Sequence, residues 1–227
     1  IFVRKQLGYC QELVVKGDFE TLAMVFDKTR QYQEKQAGEV LPSAARLKAE
    51  RLYNALTTGR WLPMLLLALG LVAFGLSMRG KGRKVQTVVH LGTALLVAAT
   101  TLYLLLVFVL RWVVGGHVPM AGGFDSMNLV TIVVGIIGLV ALRRHAMAPI
   151  ISLLAMGFCQ LVAMMSGSNP PVTNLMPVLN SPLLTLHVSV IMMAYALLLF
   201  VALNSVEALL RPAQREKMRR TTLQMLY

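Results

Sequence analysis

The chain has 227 residues, of which 56% are hydrophobic and only 14% charged, with a mean hydropathy of +0.65. Ordinary soluble domains are about 45–50% apolar and about 25% charged. This excludes a soluble enzyme core, a disordered chain and a collagen-like chain, and leaves an integral membrane protein with polar material attached, which the pattern along the chain makes all-α and polytopic. The net charge of +12 comes from 22 Lys and Arg against 10 Asp and Glu. In a membrane protein the placement of the positives matters more than their number.

Residues 1–60 read as a polar, mostly helical, extracytoplasmic segment. They hold ten of the basic residues and seven of the ten acids. Acids interleave with bases, which argues against a nucleic-acid binder. Asp18 is a candidate N-cap for a helix carrying Phe19, Leu22, Ala23, Phe26 and Thr29, an i, i+3, i+4, i+7 stripe. Gly38 and Pro42 break the pattern, and Ser43 opens a second helical stretch with Ala44, Leu47, Leu52 and Leu56 on one face.

Residues 61–210 read as a transmembrane region. The apolar runs predict five spans near 61–78, 85–114, 125–142, 147–165 and 183–210, against a requirement of about 20 apolar residues each. The connection 79–84 carries four positives, Arg143–Arg144 two, and the basic tail 211–227 five. The connections 115–127 and 166–182 carry none. Positive residues stay on the cytoplasmic side. The expected topology therefore puts the tail inside, both uncharged loops outside and residues 1–60 outside. The expected location is the bacterial inner (cytoplasmic) membrane.

Ionisable groups inside such spans are costly and are functional candidates by default. His187 lies about one turn into the fifth span, in Leu183-Leu-Thr-Leu-His-Val188. There a neutral imidazole can ligate a metal, relay protons or bond a neighbouring helix. His90 sits near the start of the second span and fits an interfacial position. His145 adjoins Arg143 and Arg144 and reads as part of a basic loop. His117 lies in Gly115-Gly-His-Val-Pro119, as a ligand or a loop-shaping residue. Asp125 reads as an N-cap of the third span, with Ser126 as rival. Gly115-Gly116, Gly122-Gly123 and Asn169-Pro-Pro171 make the uncharged loops suited to close approach of a ligand. Cys10 and Cys159 form no CxxC pair and imply neither zinc nor a redox couple. The fourteen Met residues, Met192 and Met193 among them, read as packing residues.

Two segments carry a family resemblance. Arg111-Trp-Val-Val-Gly-Gly-His-Val-Pro-Met-Ala-Gly-Gly-Phe-Asp-Ser-Met127 and Asn174-Leu-Met-Pro-Val-Leu-Asn-Ser-Pro-Leu-Leu-Thr-Leu-His-Val-Ser-Val190 resemble the System II cytochrome c biogenesis haem-handling family. This is the CcsA or ResC type, also found fused as CcsBA cytochrome c synthetase. The resemblance spans about residues 60–210, with Val118 in place of the usual Ala and Asp125 in place of the usual Glu. It implies binding of haem (haem b before attachment) and its delivery across the membrane for covalent attachment to c-type apocytochromes. It implies His187 as an axial ligand to the haem iron. Arg111 and His117 are subsidiary candidates, Arg111 toward a haem propionate.

The family's Trp-Gly-Trp-Asp platform is absent, the only tryptophans being Trp61 and Trp112. The expectation is a fragment ending before that platform. The expected partners are the apocytochrome, the ResB/CcsB-like and remaining CcsA-like parts of a synthetase, and the lipid bilayer, with no nucleic acid. Ligase activity is implied for the intact protein. The alternatives are a transporter subunit or a non-catalytic membrane scaffold.

Overall fold

The computed structural model describes residues 2–37, 41–57, 61–79, 82–120, 122–143, 145–167, 172, 181–210 and 223, and all their regular structure is helical. The protein is an all-α, multi-pass membrane protein. The described residues form two compact units, 1–47 and 48–227. The tail 211–222, most of the connection 168–180, and Arg144 lie outside the described residues.

In the first unit, α1 (Phe2–Lys16) and α2 (Phe19–Ala37) pack against each other. Gly17 joins them with a φ of 72°, a left-handed conformation that glycine adopts at little cost. Asp18 Oδ1 accepts from the Thr21 amide at 3.1 Å, so the expected N-cap is present. The expected stripe on α2 is divided: Leu22 and Thr29 are half-buried, whereas Phe19 and Phe26 are exposed. Gln6 also bonds the Thr29 hydroxyl across the pair.

The Thr21 contacts hold the Asp18 carboxyl below its usual range. A depressed carboxylate stabilises above its ordinary pKa, and that contribution fades as pH falls through the folded value. We expect amide exchange at Thr21 to speed up on acidification relative to Asp18→Asn at the same pH. Equal exchange in the two proteins across the range would refute this.

The second unit begins within α3 (Ala44–Leu56), which Ser43 caps through the Arg46 amide at 3.3 Å. Then come α4 (Leu62–Met78), α5 (Arg83–Gly115), α6 (Gly123–Ala141), α7 (Ala148–Met165) and α8 (Pro182–Leu210). Helices α5 to α8 are long and apolar enough to cross a membrane. Helix α4 is apolar but has 17 residues, about 26 Å at 1.5 Å per residue.

Helix α7 is the hub, packing on α4, α5, α6 and α8. Its buried residues include five small ones, Ala148, Ser152, Ala155, Gly157 and Ala163, among larger ones such as Ile150, Ile151, Leu153 and Met156. Small residues let membrane helices approach closely, and dispersion at short range replaces the missing hydrophobic drive. Gly157 lies against Leu67 of α4, and Gly138 of α6 lies against Ser152. Leu66, Val97, Val134, Leu153 and Met156 fill the core between them.

Candidate functional site

Three buried polar groups lie along the bundle. The first sits where α5 ends. Gly116, at a φ of 72°, caps α5 by donating to Trp112 O at 2.8 Å. Arg111, one turn before the cap, is 6% exposed. Its Nε lies 2.6 Å from Asp125 Oδ1, and its Nη1 donates to the Tyr53 hydroxyl at 2.7 Å. Its guanidinium carbon stands 5.3 Å from the centre of the Phe124 ring and 5.9 Å from that of Tyr53. The cation is thus paired, bonded and stacked, which is how a charge survives burial.

This corrects one expectation. Asp125 does not cap the third span: α6 starts at Gly123 with Gly122 as its cap, and Asp125 points into the ion pair. Arg111, the candidate for a haem propionate, has its guanidinium held by Asp125 and Tyr53. His117 is half-buried beside this group, with Nδ1 3.1 Å from Val118 O. The two uncharged loops meet here, Gly115 lying against Val172 and Gly123 against Ser166.

The second group lies one turn deeper. Gln160 Nε2 donates to Asn128 Oδ1 at 2.7 Å and to Thr131 Oγ1 at 3.2 Å, joining α7 to α6. The third lies at the opposite end of the bundle. His145 Nε2 is 3.1 Å from Glu207 Oε2, and the side chains are 6% and 1% exposed. His145 does lie in the connection after Arg143, between α6 and α7, but its side chain is buried against α8 rather than exposed. Close by, the Ser77 hydroxyl donates to Met147 Sδ at 2.8 Å.

His187 stands apart from all three. Glu207 ties the end of α8 to the His145 end of the bundle. His187, twenty residues earlier on the same helix, is about 30 Å away and so belongs to the Arg111 end. Its ring is exposed. Leu183, Leu186 and Val190 around it are 78%, 63% and 52% exposed. No buried residue occurs on α8 before Ala196 among those described, whereas buried residues run from Ala148 to Ala163 along α7. Among the described residues the His187 ring makes no hydrogen bond or ion pair. The structure thus brings Arg111 and His117 to one neighbourhood, and places His187 on an apolar face of α8 that is exposed among the described residues. The motif 174–180 that precedes it lies outside the described residues.

An imidazole without a protein partner on an apolar face has the chemistry an axial haem ligand needs. The neutral ring offers its lone pair, and the surrounding leucines and valine offer a surface to a porphyrin plane. The described residues hold no group of three or more His, Cys, Asp or Glu able to bind a metal ion by themselves. A single ligand to a porphyrin-held iron does not require one.

Sequence reasoning missed Glu207, Tyr53 and the Gln160 network. Glu207 was detectable, since only three of the ten acids lie beyond residue 60 and it alone falls deep in an apolar run. Tyr53 carries no local signal, because its partner is 58 residues away.

No protein-family model matches the chain. Protein NrfI of Wolinella succinogenes is 38% identical over 171 residues, which is 72% of this chain and 18% of that protein. Cytochrome c biogenesis protein CcsA of Prochlorococcus marinus strain SARG is 33% identical over 123 residues, 51% of this chain and 38% of that protein. The corresponding protein of strain AS9601 is 32% identical over 132 residues, or 56% and 41%. The chain spans less than a fifth of NrfI and about two fifths of the CcsA relatives.

Proposed function

We propose, on the premise that this chain belongs to the CcsA-type family of cytochrome c biogenesis proteins, that it holds haem for attachment to c-type apocytochromes. The observation that carries the proposal is His187: an exposed imidazole without a protein partner, on the open first half of α8. His187 would hold the haem iron, and Leu183, Leu186 and Val190 would line the porphyrin. Haem held there supplies the vinyl groups to which the apocytochrome thiols are joined. Arg111 is a positioning residue. Its pairing with Asp125 and Tyr53 fixes the end of α5 and the first loop beside the site. His117 shapes that loop through its bond to Val118 O.

Positive residues at 79–84 and 143–144 and in the tail support a cytoplasmic His145 end and an outer Arg111 end, in a bacterial inner membrane. His187 then lies near the outer surface, where an apocytochrome is reached. Covalent attachment belongs to the whole assembly, with ResB/CcsB-like and further CcsA-like parts as partners.

The test is a visible absorption spectrum of the detergent-purified chain titrated with haem. We expect a Soret band in the wild type, and its loss in His187→Ala with membrane insertion unchanged. A His187→Ala protein that keeps the full band would remove His187 as the ligand.

A further inference from the structure

The haem-bearing half of α8 is not the half that holds the helix. Its buried residues, Ala196, Phe200, Asn204 and Glu207, fall at spacings of four, four and three. They form one stripe confined to the last four turns. Asn204 spends its side-chain amide on Phe200 O of its own helix, at 2.9 Å. Ser189 and Ser205 likewise bond carbonyls one turn back. Among the described residues, His145–Glu207 is the one side-chain hydrogen bond or ion pair between α8 and the rest of the bundle. The other carboxylate oxygen, Oε1, is buried without a hydrogen-bond partner, so the polar attachment runs through His145 alone.

We infer that the His145–Glu207 pair is a positioning device for the site: it sets the rotation and depth of α8 and so the placement of His187 about 30 Å away. This rests on the haem reading above for its function, but its mechanics do not. Lipid tails are as apolar as the core, so no hydrophobic drive holds one membrane helix to another, and close packing and interhelical hydrogen bonds do so instead. On α8 that packing comes from Ala196 and Phe200 with the partly buried Met192, Leu199 and Leu203, all from Met192 onward, and the His145–Glu207 pair adds the one polar constraint on its rotation and depth among the described residues. A buried carboxylate without its imidazole carries a heavy desolvation cost. The helix relieves that cost by carrying Glu207 toward the water at the His145 end. A helix moves as a rigid rod, so whatever rotation the Glu207 end undergoes, His187 undergoes too.

The test reads helix position directly. Spin labels are placed at Leu186→Cys on α8 and at Met165→Cys, the 81% exposed end of α7, in a Cys10→Ser, Cys159→Ala background. We expect one narrow label–label distance with Glu207 intact. It broadens or shifts in Glu207→Leu and in His145→Leu, and the double variant looks like either single one. In Glu207→Gln the amide oxygen still accepts from Nε2, and the narrow distance returns. Glu207→Asp, a milder change should the Leu variant fail to insert, gives a smaller shift.

An unchanged distance in Glu207→Leu or Glu207→Asp overturns the inference. So does a Gln variant as altered as the Leu one. Haem titration of the corresponding unlabelled proteins, with Leu186 and Met165 intact, gives the functional readout: affinity falls on the order of tenfold in Glu207→Leu and is restored in Glu207→Gln. His187→Ala abolishes the band yet leaves the distance unchanged. A wild type that binds no haem sinks the haem reading, while the distances still decide whether the pair positions α8.

Discussion

Arg111→Leu will destabilise the bundle by about 3–5 kcal/mol, the cost of leaving one partner of a buried ion pair uncompensated. The reasons are local. Asp125 is 5% exposed and keeps its carboxylate when the guanidinium 2.6 Å away is removed. The Tyr53 hydroxyl loses the donor that approaches it at 2.7 Å, and Phe124 loses the cation stacked on its ring. The double variant Arg111→Leu/Asp125→Leu removes both charges and recovers most of the loss, since a well-packed apolar pair often matches a buried ion pair. Arg111→Lys falls between, because an ammonium cannot both pair with Asp125 and reach Tyr53 as the planar fork does. Thermal or denaturant unfolding in detergent measures all three. A double variant no more stable than Arg111→Leu would show that the loss comes from packing rather than from the stranded carboxylate.

Gly138→Leu will separate α6 from α7. A Cβ at Gly138 would lie 2.5 Å from the Ser152 Cβ and still closer to the Ser152 hydroxyl, so the backbones themselves have to part. Overpacking of a tight core costs about 1–3 kcal/mol, and here it also breaks the Ser152 bond to Val134 O at 3.0 Å. Gly75→Ala is the control, because nothing stands within 4 Å of its would-be Cβ. It will be neutral, or stabilising by up to about 1 kcal/mol through helix propensity. Combining Gly138→Ala with Ser152→Gly adds a methyl on one side of the contact and removes the hydroxymethyl that it would strike on the other. It will be less harmful than Gly138→Ala alone, as coupled neighbours are. Additive losses in that pair would rule out the steric account.

The elements of this protein were largely written in local pattern. Long apolar runs broken by glycine, proline and charge give α5 to α8 because a helix is the structure that satisfies its own backbone in lipid. Asp18 and Ser43 cap α2 and α3 where the sequence places them, since capping involves only residues within one turn. The family was legible for a different reason, in two short motifs around His117 and His187.

The partnerships were not legible. A lone Arg111 beside a glycine loop resembles a ligand-binding cation until α6 delivers Asp125 and α3 delivers Tyr53. A histidine after two arginines resembles a solvated loop until α8 brings Glu207 over it. Such pairs join residues 14 to 62 positions apart, and no period of 3.6 encodes them. Composition and spacing by themselves determined that the chain is helical, spans a membrane and carries His187 near one end of its last helix. Only the tertiary structure decided which charges neutralise one another and which imidazole stays open, because burial and pairing are set by neighbours on other helices.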